Sequence, residues 1–156
     1  MNGKRKVFLG MATVFLLLQF MQPERNNDGD PNHTNFLHAF PVPENVGKIL
    51  SNSCFDCHSN YTKYPWYTMI QPFGRWMNSH IVKGKSELNF DEFNSYSQRR
   101  KMSKLKSISS SIEDRTMPLS SYTLIHQNAK LSGKEQKIIT DWASAVLDSL
   151  QKKDNR

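Results

Sequence analysis

The chain of 156 residues is 37% hydrophobic, 22% charged and 11% aromatic, with a mean hydropathy of −0.64, which leaves room for one water-soluble domain and excludes a polytopic membrane protein. Seven Gly, seven Pro and that aromatic content exclude collagen-like, low-complexity and wholly disordered chains, because the aromatic side chains alone can bury a substantial core. The net charge is +7, but of 21 Lys and Arg three stand at Lys4, Arg5 and Lys6, and the remaining 18 against 14 acidic residues are too small an excess to make nucleic acid a partner.

That basic cluster precedes Val7 to Met21, VFLGMATVFLLLQFM, which is apolar apart from Thr13 and Gln19 and has the arrangement of an export signal. At ~1.5 Å per residue the run reaches about 22 Å, short of the ~30 Å hydrocarbon core, a length that favours cleavage. No small-x-small site follows, since Leu18, Gln19, Phe20, Met21 and Gln22 lead straight into Pro23 and Glu24, and no nearby cysteine could carry a lipid. The expectation is an uncleaved signal anchor over residues 1–22, in the membrane through residues 7–22, with the rest of the chain on the periplasmic side of the cytoplasmic membrane. Cleavage would leave a soluble periplasmic protein. A buried core helix is disfavoured, because every face of the run is apolar and a basic cluster abuts it.

Residues 23–42 are rich in Asn, Asp, Pro, Gly and His and read as a tether, in which only Phe36, Leu37, Ala39 and Phe40 could pack. The domain proper is expected over residues 43–150, with a polar tail at 151–156. Val46, Ile49 and Leu50 at i, i+3, i+4 predict a short helix running into Cys54, with Pro43 at its start. After the aromatic, proline-broken stretch Tyr64 to Pro72, a helix is predicted from Phe73 to Val82, ended by Gly84. Met102, Leu105, Ile108 and Ile112 predict an amphipathic helix within Asp91 to Arg115, with Arg99, Arg100, Lys101, Lys104 and Lys106 clustered near its start. Met117-Pro118 breaks it. Ser132-Gly-Lys-Glu135 is a capping box opening a last helix with apolar Ile138, Ile139, Trp142, Ala145, Val146 and Leu150. No stretch alternates with period two, so the fold class is all-α.

Cys54-Phe55-Asp56-Cys57-His58 is C-x-x-C-H, the attachment signal for c-type haem. Two thiols three residues apart can each add to one vinyl group on the same edge of a porphyrin, while the adjacent His58 ligates the iron. The same residues admit other chemistry. A zinc site would need two more ligands from His33, His38, His80 and His126, which show no H-x(3-5)-H spacing. A thioredoxin-like motif would need a βαβ setting, which is absent; a plain disulfide is open to any oxidising compartment. His58, the export signal and the all-α, aromatic-rich pattern together agree with one covalently bound haem c.

The run SCFDCHSNYTKYPWYTMIQPFGRWMNSHIVKGKSELNF, followed by MPLSSYTLIHQNAKLSGKEQKIITDWA, resembles the haem-binding domain family of small cytochrome c-like bacterial proteins, over roughly Val42 to Ala143. The resemblance implies an exported single-haem domain behind an N-terminal membrane segment, with Cys54, Cys57 and His58 as the haem site. It also implies that Met117-Pro118 corresponds to the distal-ligand loop of cytochromes c. It assigns no reaction.

Residue chemistry points the same way for the distal ligand, since Met117 offers a thioether on a proline-stiffened break well downstream of the motif. His126 and His80 are the rivals, either of which would give bis-histidine iron. Arg75, Trp66, Tyr64 and Tyr67 are candidate donors to the propionates. The basic cluster Arg99 to Lys106 is either a solvated helix face or a docking patch for an acidic partner. The expected architecture is cytochrome c-like, with the helix before the motif crossing the C-terminal helix near Trp142. The expected function is one-electron transfer to redox partner proteins, acidic or membrane-bound, rather than enzymatic turnover, because no catalytic base, nucleophile or substrate pocket is legible. The alternatives are a haem sensor or peroxidase-like protein with a displaceable distal ligand, and an accessory subunit relaying electrons within a membrane complex.

Overall fold

Residues 2–154 are described by a computed structural model; Met1 and the end of the polar tail, Asn155 and Arg156, lie outside the described residues. The apolar N-terminal run forms α1 (Gly3–Gln19), which buries none of its residues. Among the described residues no helix is long and apolar enough to cross a membrane. The expected spanning segment is therefore a helix of 17 residues, short of a span, standing out from the domain.

The stretch expected as a tether is laid against the domain instead. Asn26 is buried: its side-chain amide donates to Ser59 O and Thr62 Oγ1, both at 2.9 Å, while Lys85 Nζ donates to its Oδ1 at 2.6 Å. A single antiparallel bridge joins Asn27 to Tyr61. The next turn, α2 (Thr34–Ala39), places Phe36 in the core against Phe90, Phe93 and Trp142. Burying one such ring stabilises the fold by roughly 1.5–3 kcal/mol, which outweighs the polar bias of the surrounding sequence.

Helix α3 (Glu44–Ser53) turns Val46, Ile49 and Leu50 inward, as their spacing predicts, and hands over to a single turn, α4 (Phe55–His58). Helix α5 (Phe73–Glu87) runs through Gly84, which does not end it. Helix α6 (Gln98–Glu113) starts at Ser97, whose side chain accepts from Arg100 N–H. A short turn, α7 (Ser120–Thr123), leads to α8 (Gly133–Asp154) through the predicted capping box, in which Ser132 N–H donates to Glu135 Oε2 at 2.8 Å. Helices α6 and α8 are antiparallel: Gln98, opening α6, donates its side-chain N–H to Leu150 O near the end of α8. Leu105 and Ile112 of α6, Ile139, Trp142 and Val146 of α8, and Val46 and Leu50 of α3 share one core, so α3 packs on α8 beside Trp142, as expected. Among the described residues the chain is helical and has no strand.

Candidate functional site

Cys54 closes α3. Its N–H donates to Leu50 O at 2.9 Å, and its φ of −127° turns the chain so that α4 begins at Phe55. Phe55 anchors that turn in the core against His33, at 4.1 Å between ring centroids, and Phe90, at 5.3 Å. Cys54, Cys57 and His58 then line a cavity of about 450 Å³, together with His80, Lys83, Gly84, Met117, Pro118 and Tyr122. A second lobe of about 240 Å³, walled by Leu50, Leu88, Ile108, Ile112 and Leu131, shares Cys54, His58, Met117 and Pro118 with the first. Volumes of this order suit a bound cofactor.

Helix α5 forms one wall because Gly84 permits it. A Cβ there would stand 2.5 Å from the Cys57 carbonyl oxygen, so only glycine allows α5 to lie this close to α4. The residues after α5 then hold the histidine. Phe90 N–H donates to His58 O at 2.8 Å, and His58 Nδ1 lies 3.0 Å from Leu88 O. A carbonyl can only accept, so Nδ1 carries the ring proton and Nε2 keeps its lone pair. Burial pushes the His58 imidazole below its ordinary pKa, which favours the neutral, ligating form.

Both cysteines are free thiols. Burial pushes each up to about 12, helped for Cys54 by Cys57 and for Cys57 by Asp56. Thiolate is the form that binds zinc and exchanges disulfides, and it is the form this site disfavours; an uncharged thioether suits it. Among the described residues no group of three His, Cys, Asp or Glu could hold a metal ion by itself. Two protein ligands suffice when a porphyrin supplies the other four.

Met117 reaches the cavity because α6 ends abruptly. Arg115 adopts φ 56°, the left-handed region, and Met117 N–H folds back onto Ser111 O at 3.1 Å. Its side chain lines both lobes and is 39% exposed. His80, one turn before Gly84, lines the larger lobe; its ring stands edge-on to Trp76 at 4.8 Å, and its buried Nε2 has no hydrogen-bond partner. His126 is elsewhere. Its Nε2 lies 2.6 Å from Tyr67 Oη, and its ring stacks at 4.2 Å on Tyr122, whose hydroxyl donates to Asp56 Oδ2 at 2.8 Å. Of the three candidate distal ligands the structure thus brings Met117 and His80 to the motif and leaves His126 behind it, bracing the Asp56 turn through Tyr122.

The four candidate propionate donors do not line the cavity. Tyr64 Oη accepts Asn26 N–H at 2.9 Å, Tyr67 is engaged by His126, and Trp66 and Arg75 are exposed. Lys83 and Lys104 line it instead. His80, Lys83, Gly84 and Glu87 follow i, i+3, i+4, i+7, one helical face, a signal hidden by ending the helix at Gly84. The basic cluster is partly consumed: Arg100 covers the Tyr96 ring at 3.8 Å, Lys101 Nζ donates to Asn94 O at 2.8 Å, and Lys104 lies 3.7 Å from Glu87.

The His58 imidazole held at Nδ1 by Leu88 O, the unpartnered His80 Nε2, the neutral thiols and the cavity they enclose fit a haem. The model of the haem-binding domain family matches residues 13–145, from within α1 to α8. No curated protein and no solved structure matches the chain. The matched span takes in every residue of the cavity, and the chain belongs to the haem-binding domain family, with haem as its cofactor.

Proposed function

We propose that the chain is a c-type haem protein of cytochrome c-like architecture, anchored at the periplasmic face of the cytoplasmic membrane, which passes single electrons between redox partner proteins. What carries this reading is the meeting of Cys54, Cys57, His58 and Met117 around one cavity. Bound haem supplies an iron that alternates between two oxidation states differing by one electron. The chain supplies the rest. Cys54 and Cys57, held as neutral thiols, would hold the haem by thioether bonds, each thiol supplying both the sulfur and the hydrogen that a vinyl group takes up, with no net oxidation. His58 offers Nε2 from one side, its tautomer held by Leu88 O. Met117 offers a thioether from the loop after α6, and a soft ligand of that kind raises the potential relative to a second histidine. Leu50, Ile108, Ile112 and Leu131 give the smaller lobe an apolar wall for the macrocycle.

The test is maturation by a c-type assembly system. The haem should survive acid-acetone extraction, and the oxidised protein should show the weak red-end sulfur-to-iron charge-transfer band, lost in Met117→Ala. Extractable haem, or an oxidised wild type that lacks the band and whose low-spin spectrum survives Met117→Ala but is lost in His80→Ala, overturns the assignment.

A second reading, a haem sensor or peroxidase-like protein, is favoured by the exposure of Met117 and by the unpartnered His80 Nε2 in the same lobe. A displaced Met117 would leave an open iron position beside a hydrogen-bond donor. Absorption spectra of the reduced protein with and without carbon monoxide divide the two: no change fits the electron carrier, and a shifted band fits the open site.

A further inference from the structure

An apolar rim stands where α1 meets the domain. Trp66 and Met69 lie on the 3₁₀ turn before α5, Phe73 and Trp76 on its first turn, and all four are exposed, Trp66 at 71%. The contact between Tyr67 and His126 brings exposed Leu124 and Ile125 alongside. The turn is rigid: a Cβ on Gly74 would run into the Thr68 carbonyl oxygen, and Thr68 Oγ1 donates to Pro65 O at 2.7 Å. Exposed apolar surface gathered in one place marks an interaction site, since each Å² withdrawn from water is worth about 25 cal/mol.

The end of α1 is clasped to this same turn. Gln71 N–H donates to Gln19 Oε1 at 2.9 Å, Gln71 Nε2 donates to Gln22 Oε1 at 2.8 Å, and Gln22 Nε2 donates to Met69 O at 3.0 Å. Gln71 is buried, so the clasp belongs to the fold. Exposed Phe20 and Met21 continue the apolar surface from α1 to the rim.

Helix length says what covers it. Val7 to Gln19, at ~1.5 Å per residue, gives about 20 Å of apolar helix, some 10 Å less than the ~30 Å hydrocarbon core. A short apolar helix draws its flanking residues into the interface, where Trp is the favoured side chain. We propose that Trp66, Met69, Phe73 and Trp76 rest in the headgroup layer of a phospholipid bilayer, completing the membrane contact of α1 and fixing the orientation of the domain; this rests on the membrane anchoring proposed above. Helix α5 rises from the rim and meets Cys57 at Gly84, eleven residues on, so the haem cavity stands no more than about 17 Å beyond the rim.

The test uses the full, haem-loaded chain in vesicles of phosphatidylethanolamine and phosphatidylglycerol carrying a trace of phosphatidylcholine with a diazirine at the top of its acyl chain. After irradiation, adducts are mapped by mass spectrometry. Adducts are expected in α1 and in the peptide from Trp66 to Trp76, with none at buried Trp142. In Gln19→Ala/Gln22→Ala, whose fold is checked by its haem spectrum, rim labelling should fall several-fold while α1 labelling persists. Adducts confined to α1 overturn the rim and leave the anchor standing. Adducts on neither overturn both. Undiminished rim labelling in the double variant removes the clasp.

Discussion

Gly84→Ala places one methyl group at the closest approach of two helices. In a helix interior free of neighbours, Ala is favoured over Gly by about 1 kcal/mol, so propensity alone predicts a stabilised protein. Space predicts the opposite. The new Cβ would stand 2.5 Å from the Cys57 carbonyl oxygen and 3.2 Å from both its carbonyl carbon and its Cβ. These atoms cannot rotate aside, and the turn carrying them is pinned by Phe90 N–H on His58 O and by His58 Nδ1 on Leu88 O. Forced overpacking costs about 1–3 kcal/mol, and an obstacle made of pinned backbone lies at the upper end, so the net loss is about 2 kcal/mol. Gly47→Ala is the control. Its Cβ, also inside a helix, would meet only Leu37 Cδ2 at 3.4 Å, an ordinary contact, and should stabilise by about 0.5–1 kcal/mol. Urea unfolding of the haem-loaded proteins, followed by far-ultraviolet circular dichroism and by haem absorbance, should give midpoints displaced in opposite directions. Two variants displaced upward together, with unaltered haem spectra, would refute the reasoning.

Phe36→Ala should cost about 3–5 kcal/mol, measured by the same unfolding, since the ring is almost wholly buried among Phe90, Phe93 and Trp142; no change would restore residues 23–42 to a tether. Tyr122→Phe removes the hydroxyl that donates to Asp56 and should cost about 1.5–3 kcal/mol, while His126→Ala should leave the low-spin haem spectrum unchanged; a change to a high-spin spectrum in that variant, with Met117→Ala unaffected, would return His126 to the iron. For Asp91, burial would raise the carboxyl, but His33 and the Asn60 N–H at 2.7 Å together hold it below its ordinary range. Below the ~3.9 of an unfolded Asp the unfolded chain therefore takes up the proton first, and the stabilisation, complete above about pH 5, is lost as pH falls through the folded value. Asp91→Asn should flatten this limb of an acid-unfolding curve monitored by circular dichroism, and an unchanged curve would remove Asp91 as its source.

The helices were legible because their signals are local. Val46, Ile49 and Leu50 state one helical face within a few residues, Ser132 and Glu135 state a cap, and the close spacing of Cys54, Cys57 and His58 sets them on the wall of one cavity. What escaped was set by contacts between distant segments. Nothing near Asn26 in sequence announces that Ser59, Thr62 and Lys85 will surround its side chain, so a polar stretch read as a tether. His126 could not be separated from His80 either, since only the fold pairs one with Tyr67 and leaves the other facing the cavity without a partner.

Gly84 shows how a single misread residue propagates to the site. As a helix terminator it would end α5 at Val82, five residues early, and leave Glu87 off the cavity wall. As a clearance it lets α5 continue against α4, and the chain then leaves the helix at Leu88, with φ −147°, where the carbonyl meets His58 Nδ1 at 3.0 Å. The hydrogen bond that fixes the His58 tautomer thus depends on a missing side chain one turn earlier. A local reading weighs Gly only by its helix propensity, a matter of about 1 kcal/mol, whereas the constraint that fixes it here lies on the neighbouring helix. The same wall carries His80 and Lys83 to the cavity, so the packing that sets the histidine tautomer also presents there two side chains that the motif alone does not reveal.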